Sequence, residues 1–333
     1  MRDSLLCFAL SALFLISLGC SPPSDGNGAK GGDPTKKKLR IGVIPKGLTH
    51  EFWKSVHYGA QQAADKYGAE IIWLGPQTEN DLQSQIKIVQ NFVNKEVDGI
   101  CVAPLDSRGM VPCIKEAVAA KIPVVVYDSG LDDETIIVSY VATDNSNGGK
   151  MAGKEMARQL NGKGKVLLFR YKEGSESTHQ REEGFLESLK EFPGIEVLSS
   201  NQYIGTMPKE SHDKAQQLLQ KYHNDVQGVF AVCEPNANGT FLALGDEKLH
   251  DQVVFMAFDP SEPLVKGLEA KKVEGIVLQD PVKMGYAAVE TMVRHLRGEK
   301  VEKRISTGEY LATPENWNDE KMKVLLAPPT SKE

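Results

Sequence analysis

The chain has 333 residues, 41% of them hydrophobic and 25% charged, with a formal net charge of −6. That composition excludes collagen, coiled coil and wholesale disorder. Residues 1–38 hold five basic and three acidic side chains, which leaves the part from Leu39 onward at a formal −8. A surface that releases counterions from phosphates needs the opposite sign, so no nucleic-acid partner is expected.

The first feature in chain order is an apolar stretch at 5–18, followed at once by Gly19, Cys20 and Ser21. It is shorter than the roughly 20 residues that span a bilayer. This is the layout of a secretory signal peptide, although a short membrane anchor has a similar outline. A Cys after a small residue at the end of the run resembles a lipobox, in which Cys20 takes a lipid and becomes the mature N-terminus. Residues 1–20 are therefore expected to be a signal peptide and 21–38, rich in Gly, Pro, Asp and Lys, a flexible tether. The folded part is then exported, to the periplasm or the cell surface, and anchored at the membrane. Cys101, Cys113 and Cys233 remain beyond this region, an odd number with no CxxC or metal-ligand spacing, so no metal site is expected.

From Leu39 short apolar runs alternate with amphipathic stretches. Strands are expected at 39–45, 69–75, 98–104 and 122–128, with helices between them at 52–67, 81–95 and 108–121. After residue 160 a second series follows: strand 165–171, helix 180–191, strand 195–201, helix 209–221, strand 228–233, helix 239–247, then strands at 253–259 and 272–280. Such alternation builds parallel sheets with helices on both faces. The expected fold is α/β, as two doubly wound parallel-sheet lobes.

Doubly wound sheets bind ligands beyond the carboxyl ends of their strands. The residues just past the expected strand ends are 46–53, Asp106, Asp128 with Ser129, Thr143 with Asp144 and Asn145, 173–181, Cys233 with Glu234, Asp259 and Gln279. They offer carboxylates, an arginine, an amide and an aromatic pair. No GxGxxG or GxxxxGK[ST] loop occurs at a strand-to-helix turn, and there is no GxSxG elbow or HExxH helix, so neither a nucleotide cofactor nor a hydrolytic centre is expected.

An ordered set of motifs then resembles the ribose-binding-protein-like, type I periplasmic sugar-binding proteins of ABC importers over nearly the whole folded chain. GVIPKGLTHEFWKSVHYGAQQAADKYG is similar to that family's opening strand, aromatic ligand loop and first helix, and VDGICVAPLD to its third strand. IPVVVYDSG, VATDNSNGGKMAG, REEGF, VVFMAFDP, GIVLQDPVKMG and YLATPENW follow in the family's order. The resemblance implies a hinge crossed three times, near Thr143, Gln279 and 307–310. It divides the chain into an N-terminal lobe of 39–143 plus 280–308, a C-terminal lobe of 144–279 plus 309–327, and a tail of 328–333.

Carried over by position, the resemblance makes Phe52 and Trp53 a platform for a sugar ring, with Lys46 and His50 beside it. Asp128, Arg181, Asp259 and Gln279 would take hydroxyls, and Thr143 and Glu234 complete the expected ligand set. Aromatic faces suit the apolar C–H face of a sugar, and charged groups its polar edge. Plainer roles exist for the same residues: an Asp at a strand end can cap the next helix, Arg181 can be a solvated helix charge, and Gln279 can bridge the hinge. Trp73, inside an apolar strand, reads as packing.

Three positions depart from the ribose pattern. The family's Asp-Arg pair stands here as Asp128-Ser129, one Asn as Ala103, and another as Cys233 followed by Glu234. Lys46 and Glu234 add ionisable groups, which directs attention to amino, acidic or polyol-type derivatives in place of ribose. The implied protein is a monomeric, non-enzymatic solute receptor that delivers a monosaccharide or derivative to ABC permease subunits. A sensor for a chemoreceptor or sensor kinase shares every motif, and a sugar-acting enzyme on the same scaffold is the third reading.

Overall fold

The computed structural model describes residues 38–330. The expected signal peptide, the lipidation position Cys20, nearly all of the tether and residues 331–333 lie outside that range.

β1 (Arg40–Ile44), β2 (Glu70–Trp73), β3 (Gly99–Val102), β4 (Val124–Tyr127) and β5 (Ser139–Ala142) belong to one sheet, alternating with α1 (Glu51–Tyr67), α2 (Leu82–Asn94) and α3 (Val111–Ala119). The chain then runs through α4 (Asn145–Gln159), β6 (Lys163–Arg170), α5 (Glu176–Leu189), β7 (Gly194–Tyr203), α6 (Pro208–Lys221), β8 (Gly228–Ala231), α7 (Glu234–Asp246), β9 (Val254–Phe258), α8 (Glu262–Glu269) and β10 (Gly275–Gln279). It ends with α9 (Pro281–Leu296), β11 (Arg304–Ser306), β12 (Glu309–Ala312) and α10 (Glu320–Leu326).

The first sheet has the order β11-β5-β4-β3-β1-β2 and the second β12-β10-β9-β8-β6-β7. All pairs are parallel except β10 with β12. The two orders superpose strand for strand, so the second sheet repeats the first apart from the reversed direction of its edge strand β12, and the α/β fold of two doubly wound lobes is borne out. Strands such as Val124–Tyr127 and Gly228–Ala231 are buried throughout, because helices cover both faces and each face carries its own apolar core.

Several elements differ from the sequence expectation. β5 reads SYVA, too short to stand out, and the sequence expectation contains neither α8 nor α9. α3 starts three residues late because the Asp106 carboxylate accepts the backbone N–H groups of Arg108 and Gly109 and holds them in a turn. α5 and α7 each begin several residues early, in polar stretches (ESTH and EPNANG) that carry no apolar period. All three cysteines among the described residues are free and buried.

Two helices pass from one sheet to the other. α4 leaves β5 and packs on α5 and on β9, β10 and β12; α9 leaves β10 and packs on α1 and on β3, β4 and β5. Both docks are made backbone to backbone. A Cβ on Gly285 would lie 1.9 Å from the Val56 carbonyl oxygen, and one on Gly59 1.9 Å from that of Val282. In the other lobe a Cβ on Gly149 or Gly184 would lie 2.1 Å from the carbonyl oxygen of Arg181 or Ser146. Replacing Gly285 by Ala should therefore destabilise the protein by about 1–3 kcal/mol through overpacking, after the gain of about 1 kcal/mol in helix propensity is absorbed. Thermal unfolding checks this: Gly285→Ala is expected to melt several degrees lower, and an unchanged midpoint would refute the close contact.

Candidate functional site

The carboxyl ends of both sheets face one cleft. Strand order reverses between β1 and β3 in the first sheet and between β6 and β8 in the second. Lys46 follows β1, Tyr171 follows β6, and Glu234 lies beyond β8, so each reversal opens at the cleft.

Two aspartates occupy equivalent places. Asp128 follows β4 with φ +62° and Asp259 follows β9 with φ +67°. Each donates its backbone N–H to the neighbouring strand, to the carbonyls of Val141 and Val277. Aspartate is among the few side chains that accept the left-handed region. This backbone also excludes a simple capping role: Ser261, not Asp259, caps α8.

Each aspartate has a cation. Lys46 Nζ lies 3.0 Å from Asp128 Oδ2 and donates to Ser177 Oγ (2.9 Å), on a helix of the other lobe. Arg181 is only 2% exposed, so it is no solvated helix charge. Its Nη1 lies 3.5 Å from Asp259 Oδ2 and donates to the Val232 carbonyl at 2.9 Å, while Nε donates to Asn145 Oδ1 at 2.8 Å. The guanidinium also sits 3.7 Å from the centre of the Phe258 ring. Burial raises Asp259 above the ordinary carboxylate range despite the Arg181 charge.

A third ion pair centres on Glu79. This carboxylate is 5% exposed and takes His50 Nδ1 at 2.8 Å, Trp53 Nε1 at 2.6 Å and, from the other lobe, the Tyr171 hydroxyl at 2.8 Å. Burial disfavours both charges, yet their mutual attraction prevails: His50 rises to about 9 and Glu79 falls to about 2. Lys172 joins the lobes again, donating to the Glu79 and Leu105 carbonyls at 3.2 Å.

Glu234 starts α7. Burial raises it to about 7, opposed by the His50 charge and the Phe52 backbone N–H and reinforced by Asp259 and Glu79. Its Oε2, His50 Nε2 and Gln279 Oε1 are buried without a hydrogen-bond partner. Phe52 and Trp53 meet edge to face, with ring centres 4.9 Å apart. Trp53 is 3% exposed and joins the apolar core, whereas Phe52 is half-buried.

Between the two sheets these groups surround a cavity. It is lined by Lys46, His50, Phe52, Trp53, Asp128, Arg181, Glu234, Asp259 and Gln279, and also by Glu79, Tyr171, Ser177, Thr178, Cys233 and Pro235. Thr143, expected among the ligand residues, does not line it. Its hydroxyl lies 3.4 Å from that of Thr307, so it ties two inter-lobe connections together. Glu79 and Tyr171 escaped the sequence reading. Glu79 lies in the loop after β2, and Tyr171 closes the apolar run 165–171, of which only the part up to Arg170 is strand. Tyr203, at the end of β7, is 37% exposed, beside the Arg170 guanidinium. Trp73 stacks on His57, with ring centres 4.4 Å apart, and is packing as expected.

The family described as periplasmic binding protein domain matches residues 41–300. This chain belongs to that family. Among curated relatives of this binding protein, the ribose import binding protein RbsB of Bacillus subtilis is 27% identical over 309 residues, covering 91% of this chain and 96% of the relative. The solved carbohydrate transporter solute binding protein of Agrobacterium radiobacter, in complex with D-arabinose, is 30% identical with a TM-score of 0.83, covering 87% of this chain and 99% of that one. An ABC transporter solute binding protein of Agrobacterium vitis with bound D-fucose is 31% identical with a TM-score of 0.83, covering 86% and 99%. The relatives compared are thus transport binding proteins of exported families, as the motif order implied.

The ionisable groups of the cleft make folding pH-dependent. His50, raised from 6.5 to about 9, stabilises fully below pH 6.5 and loses that contribution as pH rises through 9. Glu234, raised from 4.5 to about 7, favours folding in its protonated form, a contribution present below pH 4.5 and lost as pH rises through 7. Glu79, lowered to about 2, stabilises above pH 4.5 and fails only as pH falls through 2. Urea midpoints should therefore decline from pH 5 to 9. Glu234→Gln should reduce the decline below pH 7 without abolishing it, because burial also raises Glu274 to about 7, and should leave the His50 part above it; a wild-type profile that is flat or rising contradicts these assignments.

Proposed function

We propose that this protein is the extracytoplasmic receptor of a sugar importer. It captures a monosaccharide or sugar derivative between two lobes, 39–143 with 280–308 and 144–279 with 309–327, and presents it unchanged to the transmembrane subunits of an ABC permease. It acts as a monomer without a cofactor, held at the membrane by lipid on Cys20. The observation that carries this reading is the cavity at the facing carboxyl edges, where charged groups from both sheets converge beside an aromatic pair. Relatives named as ribose-binding and as holding D-arabinose or D-fucose support a sugar as ligand.

In this reading Phe52, with Trp53 behind it, supports the apolar face of the sugar ring, and Asp128, Arg181, Asp259 and Gln279 take its hydroxyls. Every hydroxyl both donates and accepts, so a carboxylate and a cation together satisfy it. Closure depends on ligand because groups of both lobes bind the same molecule, which stabilises only the arrangement that brings them together. Lys46 with Ser177, and Tyr171 with Glu79, close the same gap from protein to protein.

Calorimetry against pentoses, hexoses and inositols tests this, with the ligand recovered chemically unchanged. A sugar at 100 times its Kd should stabilise the fold by about 2.7 kcal/mol. Asp128→Asn keeps a residue that tolerates the left-handed backbone but removes the charge opposite Lys46. It should weaken binding by about 1.5–3 kcal/mol, the range for a charged hydrogen bond. Affinity equal to wild type would remove Asp128 from the site.

A further inference from the structure

We propose that the sugar bound by this protein carries a protonated amine, held by Glu234 and Gln279; the proposal rests on the sugar-receptor reading above and narrows its ligand. The cavity is lined by three cations, Lys46, His50 and Arg181, and four carboxylates, Glu79, Asp128, Glu234 and Asp259. Every cation already faces a carboxylate, Lys46 with Asp128 at 3.0 Å, His50 with Glu79 at 2.8 Å and Arg181 with Asp259 at 3.5 Å. Glu234 is the carboxylate left over, and its Oε2 has no partner.

Gln279 supplies a second acceptor. Its Nε2 donates to Asp259 Oδ1 at 2.8 Å, which sets the orientation of the amide and leaves Oε1 buried without a donor, in a residue 3% exposed. Glu234 and Gln279 flank the same carboxylate, because Asp259 also takes the Glu234 backbone N–H. A hydroxyl has one hydrogen to give, whereas an ammonium has three and no acceptor. An ammonium therefore has donors enough for both orphan acceptors and supplies the charge that Glu234 lacks. His50 faces Glu234 across the cleft, but its charge is engaged by Glu79, and its unpartnered Nε2–H is a donor for a sugar oxygen. An acidic sugar meets the opposite situation: no cation is free for it, and Glu234 repels it.

The test is calorimetry on the purified protein at pH 7.5. The pentoses, hexoses and inositols above are each titrated beside their monoamino-deoxy analogues, together with D-glucuronate and D-galacturonate. The expected result is an amino sugar that binds at least tenfold more tightly than its parent, uronates that bind more weakly than either, and loss of that preference in Glu234→Gln. Parents bound within tenfold of their amines, or more tightly, in every pair overturn the amine while leaving the receptor reading intact. Binding of neither member of any pair overturns both. A preference that persists in a folded Glu234→Gln protein also refutes the assignment, and the wild-type comparison decides alone if that variant does not fold.

Discussion

The contact on which the rest of this architecture depends is made without side chains. α9 lies against α1, and α4 against α5, at glycines whose missing Cβ atoms would otherwise meet backbone carbonyls of the facing helix. A helix seated by its own backbone has little room to slide, because any shift collides with atoms that cannot change rotamer. Each sheet is thus completed by a helix that the other sheet's last inner strand delivers, and the links between the sheets reduce to short connections at β5–α4, β10–α9 and β11–β12. Those connections run beside the cleft, where Thr143 and Thr307 meet.

Into this frame the chain places more buried charge than an apolar core tolerates. Removing an ion from water costs several kcal/mol unless a partner and hydrogen bonds compensate. The cleft answers with pairs: a lysine and an arginine each opposite an aspartate in left-handed backbone, and a histidine opposite Glu79. Breaking one partner of such a pair strands the other, so the site is held in a single arrangement by electrostatics as much as by packing. Glu234 is the exception to the pairing, and burial leaves it titrating near neutrality.

Much of the fold was legible because it rests on periodicity. Runs such as VVVY and GVFA are apolar without alternation, which only a sheet covered on both faces accepts, and the intervening helices repeat their apolar residues at helical spacing. The elements that escaped lack that signal: SYVA is four residues long, and α5 and α7 open on polar residues that carry no apolar period. For the site, the strand-end rule placed Lys46, Asp128, Glu234 and Asp259 correctly at the carboxyl edges. It missed Glu79, because nothing in QTEND distinguishes a buried carboxylate from a solvated one until His50, Trp53 and Tyr171 converge on it.

The sequence by itself therefore determined the layer architecture, the two successive strand-helix series, the family resemblance and the strand ends at which a ligand would bind, since all of these follow from local pattern and chain order. Only the tertiary structure decided which charges neutralise one another. Pairing depends on distances between residues far apart in the chain: Lys46 meets Asp128, Arg181 meets Asp259, Glu79 receives a hydroxyl from Tyr171, and Thr143 turns to Thr307 and not to the cavity. No spacing along the chain encodes those distances, because they are set by the order of strands across two sheets and by the two helices that pass from one sheet to the other.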